Sequence, residues 1–345
     1  MSNLSEQELI RREKLKKIRE LGINPYPADL FKISINSKQI KADFKEGKQV
    51  IVAGRLMSRR IQGNASFAEL QDSSGRIQVY FNRDEICKDE DKSQYNEFYK
   101  KLLDIGDIIG VKGELFKTKV GEKTILVKDF KLLSKSLKPL PLPKTDSEGN
   151  IYDEFSSPEL RYRQRYVDLI VNNSVKETFI KRSKIISSIR SSLENEDFIE
   201  VETPILQPIP GGAAAKPFVT HHNSLNIPLY MRIANELYLK RLIVGGFDGV
   251  FEFAKDFRNE GMDRTHNPEF TNLEFYVAYK DYNWMMSFTE KLLEKVAVDC
   301  LGNSKVKYGD KVIDFKGPYK KISIINAIKE ETGIDALTMN DNDLR

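Results

Sequence analysis

Residues 251–276, FEFAKDFRNEGMDRTHNPEFTNLEFY, limit the possible folds most, because two alternating segments flank a long polar connection. Alternation sends successive side chains of a strand to opposite faces. In the first segment it separates three aromatic residues from three charged ones: Phe251, Phe253 and Phe257 from Glu252, Asp256 and Arg258. In the second it separates Phe270, Asn272, Glu274 and Tyr276 from Leu273, Phe275 and Val277. We expect an antiparallel hairpin with one packed face and one solvated face.

The connection between these two segments runs from about Asn259 to Glu269, which is longer than the usual hairpin loop. Long loops inside compact domains are more often functional or disordered than idle. Periodicity alone fits equally well an ordinary two-faced hairpin whose charged side chains only face water. Other stretches of the chain must therefore decide whether this hairpin binds a ligand.

The composition is that of an ordinary globular protein. With 345 residues, of which 40% are hydrophobic and 31% charged, the chain has room for about two domains. A net charge of +4 is slight for this length, so any site for a polyanion must come from local clustering. Cys87 and Cys300 lie far apart and no histidine has a partner at zinc-like spacing, so we expect neither disulfides nor zinc. No apolar run approaches a membrane span, and we expect a cytoplasmic protein.

Residues 1–47 are expected to form a basic N-terminal extension. Its first part, 5–21, reads as a helix that stops at Gly22. The apolar side of this helix is formed by Leu9, Leu15, Ile18 and Leu21. The basic residues favour a solvated helix face, while an electrostatic contact with an RNA backbone stays open.

Residues 48–136 contain five short alternating segments, with a helix-like stretch near 93–103 between the third and the fourth. This order predicts an OB-fold, a five-stranded β-barrel. The segments are 49–57, 65–71, 75–82, 107–116 and 123–133. Phe67 and Gln78 fall on the outward face of their strands, where an aromatic ring can stack on an unpaired base. Scattered surface aromatics are also common without any such role.

Residues 137–172 begin with a proline-rich polar stretch, which is typical of a linker. Residues 173–345 then form the second predicted domain. It should open with a helix at 174–195 and a strand at 198–203 that stops at Pro204, since proline cannot donate to a strand ladder. Strands grouped in the first domain and helices mixed with strands in the second predict the α+β class.

Four ordered stretches resemble class II aminoacyl-tRNA synthetases, most closely the lysine-specific members. FRNE at 257–260 followed by HNPEF at 266–270 is similar to the second signature motif of that family. The other three are RYRQRYVDL (161–169), IPGGAAAKPF (209–218) and RIANELYLKRLIVGGF (232–247). The resemblance implies an anticodon-binding OB domain at 48–136 and part of an antiparallel-sheet catalytic domain at 173–345. The implied activity is ATP-dependent ligation of lysine to tRNA(Lys) through a lysyl-adenylate.

The resemblance also implies roles for single residues around ATP. Arg258 is the implied catalytic residue: a permanently charged guanidinium would bridge the lysine carboxylate and the α-phosphate of ATP. Glu260 matches the residue that reads the adenine amino group, and His266 matches a contact for the distal phosphates. Phe270 matches the aromatic residue that stacks on the adenine.

Two further groups of residues are implied by the same resemblance. Lysine binding involves Gly212, Glu236, Arg258, Glu274 and Tyr276, and the carboxylates among them suit the ammonium groups of lysine. Anticodon binding involves Phe67 and Gln78, with phosphate attraction from Arg59 and Arg60.

The helix and the strand before Pro204 resemble the first signature motif, which implies a homodimer interface, with plain core packing as the alternative. After Glu260 no stretch matches the G-x-G-x-G-x-[DE]-R pattern of the third motif. We therefore expect no metal site within this chain, Mg²⁺ ligands beyond residue 345, and a fragment that cannot form lysyl-adenylate alone. An aspartate or asparagine ligase of the same subclass, and a non-catalytic tRNA-binding or regulatory protein, remain alternatives.

Overall fold

The computed structural model describes residues 4–145, 151–152 and 154–340. The chain divides into two compact units, Met1–Asn173 and Ser174–Arg345. Each unit has its own cluster of buried hydrophobic side chains. The predicted α+β class is confirmed, while the finer boundaries expected after residues 47, 136 and 172 stay a prediction.

The first unit is built on five strands: β1 (Gln49–Gln62), β2 (Ala65–Gln71), β3 (Arg76–Asn82), β4 (Ile108–Lys117) and β5 (Lys123–Ser134). They close into a barrel in the order β1–β2–β3–β5–β4, which confirms the predicted barrel. β3 and β5 run parallel, and the other neighbours run antiparallel. Burial alternates along β2 and β3 because successive side chains point into and out of the barrel. Ile77, Val79 and Phe81 are buried in the core, as their spacing predicts.

Four helical segments accompany the barrel: α1 (Glu6–Glu20), α2 (Ser37–Ala42), α3 (Arg83–Ile86) and a π-helix (Gln94–Leu102). The predicted first helix is thus confirmed. It begins with a capping box, in which Ser5 and Glu8 satisfy each other's backbone N–H groups. Gly22 follows its end at a φ of +72°, a conformation that favours glycine.

Helix α1 is attached to the barrel by both apolar and charged residues. Leu15 and Ile18 are buried, whereas the other two residues of the predicted apolar side, Leu9 and Leu21, are exposed. Buried Arg11 donates through Nη1 to the carbonyls of Ser136 and Lys138, both at 3.2 Å, and through Nη2 to Ile105 at 3.0 Å. Lys14 pairs with Asp104 at 2.6 Å. Two of the basic residues of this helix are therefore occupied within the protein.

The rest of the first unit contains β6 (Lys144–Thr145), β7 (Ile151–Tyr152), α4 (Pro158–Arg163) and α5 (Arg165–Val171). Here the stretch RYRQRYVDL folds around the buried carboxylate of Asp168. That carboxylate accepts from Arg161 Nε at 2.9 Å, from Asn172 Nδ2 at 2.7 Å, and from Arg165. This part of the predicted linker is consequently ordered by ion pairing.

The second unit contains α6 (Asn173–Glu194), β8 (Ile199–Glu200), β9 (Leu206–Gln207), β10 (Val219–His222), β11 (Ile227–Met231), α7 (Glu236–Val244), β12 (Gly249–Phe257), β13 (Glu269–Val277), α8 (Tyr282–Leu301), β14 (Lys305–Tyr308), β15 (Lys311–Asp314) and α9 (Ile324–Thr332). Its sheets have the orders β13–β12–β8, β10–β11–β9 and β14–β15. The strand predicted at 198–203 is shorter than expected, because only Ile199 and Glu200 form ladder pairs with β12. The predicted helix at 174–195 is confirmed.

The β12–β13 hairpin is the centre of this unit. Its strands pair without interruption from Gly249–Val277 to Phe257–Glu269. The apolar face packs on a core of Leu193, Phe198, Phe251, Phe288 and Leu292. The expectation of a solvated polar face is wrong at Glu252, which is 3% exposed, and at Asp256, which is 0% exposed. Both carboxylates are covered because they form ion pairs with a buried arginine, Arg232.

Among the described residues, no helix combines the length and the apolar character that a membrane crossing requires.

Candidate functional site

The register of β12 and β13 decides which side chains share the polar face. Glu252 lies opposite Glu274, Ala254 opposite Asn272, and Asp256 opposite Phe270. Directly opposed residues of an antiparallel pair lie on the same face. This face therefore joins the acidic residues of β12 to the residues of β13 that the sequence predicted to be functional.

Arg258 follows β12 directly, and its backbone N–H donates to the carbonyl of Pro268 at 2.8 Å. Its guanidinium lies over the Phe270 ring, 5.1 Å from the ring centroid. This is cation–π distance, so the two side chains hold each other in place. Arg258 Nε is buried without a hydrogen-bond partner among the described residues. A buried guanidinium N–H with no acceptor is suited to an anionic ligand.

Buried Arg232 lies below this face and binds two of its carboxylates. Its Nη1 donates to Glu252 at 2.8 Å, and its Nε lies 3.3 Å from Asp256 Oδ1. Glu252 also accepts from the backbone N–H and the hydroxyl of Thr203, at 3.2 and 2.7 Å, and from Asn235 at 3.1 Å. This network ties the segment after β8 and the start of α7 to the hairpin.

A second chain of hydrogen bonds runs along β13. The Asn272 amide donates to Asp256 Oδ2 at 3.1 Å and to Glu274 Oε1 at 3.0 Å. The Tyr276 hydroxyl donates to Glu274 Oε2 at 3.0 Å. Glu274 is thus held between an amide and a phenol, in the manner of an oriented acceptor rather than a mobile surface acid.

The acids on this face are electrostatically crowded. Burial raises the pKa of Glu274, and the nearby carboxylates of Asp256 and Glu236 raise it further, while the Tyr276 and Asn272 hydrogen bonds oppose the shift. Burial also raises the pKa of Asp256, which Glu252 increases and Arg232 counteracts. The pKa of Tyr276 is raised by burial and by the Glu274 charge. A cation bound here would relieve this repulsion.

Gly212 and Glu236 lie together at the start of α7. Gly212 has a φ of +89°, and a Cβ built on it would lie 3.1 Å from the Cβ atoms of Ala234 and Glu236. Only glycine fits this close approach without strain. Glu236 pairs with Lys240 at 2.6 Å, and the Lys240 ammonium lies 5.8 Å from the Tyr276 ring centroid. The structure thus brings Gly212, Glu236, Glu274 and Tyr276 together.

The long connection places the other two predicted residues differently. Glu260 is exposed, and its carboxylate accepts from the backbone N–H of Lys216 at 3.0 Å, which fixes the connection to the 209–218 stretch. His266 is exposed too, with Nδ1 at 2.8 Å from Asp263. In the described part of the chain, neither side chain is hydrogen-bonded to the side chain of Arg258.

Within the described residues, no group of three or more His, Cys, Asp or Glu side chains is arranged to hold a metal ion. The donor set of this face therefore does not fit a Mg²⁺ site.

The predicted anticodon residues share one hollow of about 440 Å³ on the outside of the barrel, lined by Ser58, Arg59, Arg60, Phe67, Ala68, Glu69 and Gln78. Gln78 is fixed by donating to the Thr124 hydroxyl at 3.0 Å. Arg60 is exposed, but Arg59 donates to the Tyr99 carbonyl at 2.6 Å and lies over the Tyr99 ring. The two arginines, for which the same role was expected from the sequence, thus have different surroundings.

Tyr80 is a residue of this outer surface that sequence reasoning left without a role. It lies directly opposite Phe67 in the β2–β3 ladder, with ring centroids 4.8 Å apart. Its other neighbour is Phe116, at 6.0 Å. The alternation of β3 already points Tyr80 outward, so its position was available from the sequence, but its contact with Phe67 depends on strand register.

Comparison with known protein families matches both units. Residues 157–342 match the family "tRNA synthetases class II (D, K and N)". The chain belongs to this family. Residues 50–133 match an OB-fold nucleic acid binding domain, in agreement with the closed barrel.

Several curated proteins are similar to this class II synthetase chain along its length. A lysine–tRNA ligase of Christiangramia forsetii is 67% identical over 344 residues, covering 100% of the chain and 60% of that protein. A lysine–tRNA ligase of Porphyromonas gingivalis is 58% identical over a region that includes 99% of the chain and 60% of that protein. A lysine–tRNA ligase of Azobacteroides pseudotrichonymphae is 56% identical over a region that includes 99% of the chain and 69% of that protein. The chain spans about 60% of the length of the first two relatives.

The synthetase face contains residues that sequence reasoning did not assign, above all Arg232, Asp256 and Asn272. Asp256 was placed on the correct face by strand alternation, but no pattern indicated its burial. Arg232 lies within a stretch that resembles the family. Its ion pair with Glu252 could not be predicted from the spacing of the two residues, because they belong to different segments of the fold.

Proposed function

We propose that the protein takes part in the ATP-dependent ligation of lysine to tRNA(Lys) through a lysyl-adenylate. The observation that carries the proposal is the shared polar face of the hairpin, which joins Arg258 over Phe270 to the oriented carboxylate of Glu274. One end of this face suits a phosphate-bearing nucleotide and the other suits an ammonium group. The names of the relatives, all lysine–tRNA ligases, support the same amino acid.

In this proposal a carboxylate oxygen of lysine attacks the α-phosphorus of ATP, a phosphorus–oxygen bond forms, and pyrophosphate leaves with the electrons of the broken bond. Arg258 would bridge the two anionic reactants, lowering their repulsion without transferring a proton. Phe270 would stack on the adenine, Glu260 would accept from its amino group, and His266 would contact the distal phosphates.

Glu274, with Glu236 and the close backbone at Gly212, would hold the ammonium of lysine, and Tyr276 would line the seat toward the side chain. Phe67, Gln78 and Arg60 on the outside of the barrel would bind the anticodon of tRNA(Lys), and Arg59, bound to the Tyr99 carbonyl, would support this surface. Reactions of this type use Mg²⁺ with ATP, and the described residues supply no ligand set for it.

We further propose a homodimer and a cytoplasmic location. Several large apolar side chains on α6, in β8 and shortly after it support the dimer, since they are exposed on the isolated chain: Phe179, Ile180, Ile185, Ile199, Ile205 and Leu206. The substrates tRNA(Lys) and ATP support the location.

Amino-acid binding tests the proposal directly. We expect isothermal calorimetry to show binding of L-lysine in preference to L-aspartate and L-asparagine, the other amino acids of the subclass. Replacing Glu274 by Gln should weaken lysine binding about 10- to 100-fold, because an ammonium loses a charged acceptor. Glu269→Gln is the matched control, since Glu269 lies in the same strand but is exposed and paired with Lys255. Equal binding of aspartate, or lysine binding unaffected by Glu274→Gln, would refute the assignment.

A further inference from the structure

Asp256 is a buried carboxylate whose hydrogen bonds are incomplete. Its side chain is 0% exposed, and Oδ2 accepts from Asn272 at 3.1 Å. Oδ1 has no hydrogen-bond partner among the described residues. The nearest cation, Arg232 Nε, lies 3.3 Å away but donates its hydrogen to the carbonyl of Lys255 at 2.9 Å. A buried carboxylate oxygen without a hydrogen-bond donor destabilises the folded protein unless a ligand supplies that donor.

Arg232 cannot neutralise the whole face. Its Nη1 donates to Glu252 at 2.8 Å and to the carbonyl and hydroxyl of Thr203, at 3.0 and 3.1 Å. The same guanidinium must therefore serve both Glu252 and Asp256. Glu274 forms no ion pair within the part of the chain that the structure describes. The face carries more negative charge than its resident cation balances.

Asn272 joins the two under-neutralised acids. Its Nδ2 donates to Asp256 Oδ2 at 3.1 Å and to Glu274 Oε1 at 3.0 Å, which uses both amide hydrogens. The bridge keeps two carboxylates near each other despite their repulsion. An aliphatic residue at this position could not do so, because it has no hydrogen to donate.

The remaining charged groups around this face do not remove the imbalance. Arg258 is stacked on Phe270, and in the proposed function its charge is used by the lysine carboxylate and the α-phosphate. Glu236 of α7 is already paired with Lys240 at 2.6 Å. Lys255 lies on the opposite face of β12 and pairs with Glu269. An ammonium ligand would supply the missing positive charge.

We infer that Asp256 is a further specificity-determining residue that forms, with Glu274, a two-carboxylate seat for the ammonium of the amino-acid substrate, and that Asn272 is the positioning residue that aligns the pair. This inference rests on the proposed function for the identity of the ligand. The seat itself follows from the burial and the hydrogen bonds of the three side chains.

The seat has a consequence for stability in the absence of ligand. Burial raises the pKa of Asp256, and Glu252 raises it further. The folded protein therefore binds this proton more tightly than the unfolded chain does, so ionising Asp256 costs stability as the pH rises through its folded pKa. Replacing the carboxylate by a neutral amide should remove that cost at high pH and change little at low pH.

A ligand-free test uses Asp256→Asn in the full chain. We expect its midpoint of thermal unfolding to rise by about 2–4 °C relative to the unaltered protein at pH 8, and to rise less at pH 5. Asp310→Asn, at an exposed position in the same unit, should leave the midpoint unchanged at both values. A lower midpoint for Asp256→Asn at pH 8 would make Asp256 a structural partner of Arg232 and overturn the inference.

A ligand-binding test uses L-lysine and calorimetry. Asp256→Asn should weaken lysine binding about 10-fold at pH 8, because one of two carboxylates is lost. Asn272→Leu should also shift the pH dependence of lysine binding to higher pH. Without the amide hydrogen bonds, the charge of each carboxylate raises the pKa of the other without opposition. A purely structural role of Asn272 would lower stability without moving that pH profile, and would overturn its assignment.

The two tests separate the inference from the proposed function. Stabilisation by Asp256→Asn at pH 8 together with no lysine binding by the unaltered chain would support the seat and overturn lysine as its ligand. Lysine binding that Glu274→Gln weakens and Asp256→Asn leaves unchanged would support the proposed function and overturn the inference.

Discussion

Arg59 and Arg60 are adjacent in sequence but differ in what their guanidinium groups can do. Arg59 is bound to the carbonyl of Tyr99 at 2.6 Å, whereas Arg60 is exposed opposite Phe67 in the β1–β2 ladder. A cation already bound to the protein gains little from a phosphate, because it must give up that contact. Of the two, Arg60 is free to neutralise an RNA phosphate.

This difference predicts two distinct mutant behaviours in tRNA binding. Arg60→Gln should weaken tRNA(Lys) binding and reduce the slope of log K against log salt concentration by about 1. Arg59→Gln should instead lower barrel stability and leave the slope unchanged. Fluorescence anisotropy at several salt concentrations measures the slope for each variant, and thermal unfolding measures the stability of the barrel. Equal slopes for Arg60→Gln and the unaltered protein would refute a phosphate contact at Arg60.

Other single residues were predictable in type and not in environment. Glu274 and Tyr276 fall on one face by strand alternation alone, and the structure shows them hydrogen-bonded at 3.0 Å. The Asp256–Asn272 bond depends on how β12 and β13 are registered, which alternation cannot fix.

At the scale of elements, α1 shows how a basic helix can be structural. The sequence could only weigh a solvated face against an RNA contact. The structure uses Arg11 and Lys14 to attach the helix to the barrel, while Arg12 and Lys16 stay exposed. The long-range partners of Arg11, more than ninety residues away, cannot be inferred from helical spacing.

Arg11→Met should lower the free energy of unfolding of the first unit by about 2 kcal/mol, because three partly buried hydrogen bonds from a charged group to carbonyls are lost. Arg12→Met, at the exposed neighbouring position, should cost less than about 0.5 kcal/mol. Urea unfolding followed by far-UV circular dichroism compares the two. Equal losses would show that Arg11 contributes through helix propensity or general charge and not through its carbonyl contacts.

At the scale of the whole molecule, the two units have separate cores of very different size. The buried cluster of the first unit fills the barrel, whereas that of the second unit consists of five buried side chains with partly buried neighbours. Because hydrophobic burial is the main stabilising contribution to folding, the second unit should be the less stable one.

We expect two unfolding transitions, of which the second unit contributes the first. Trp284, the single tryptophan of the chain, stacks on Phe288 in the second unit, so its fluorescence reports that unit alone. Leu193→Ala should lower the free energy of unfolding measured by Trp284 fluorescence by about 2–5 kcal/mol. Leu70→Ala should leave the fluorescence transition in place and shift only the other transition, which circular dichroism detects. A single transition that both variants shift equally would contradict independent cores.

The sequence by itself determined the elements with strong local periodicity: the five barrel strands, the first helix and both strands of the hairpin. It also determined which residues share a face of each strand, because side chains alternate wherever a strand forms. Tertiary structure decided which of those faces is buried. Glu252 and Asp256 are covered because Arg232 and Thr203, from elsewhere in the chain, supply their partners, and such contacts between elements leave no periodic trace in the sequence.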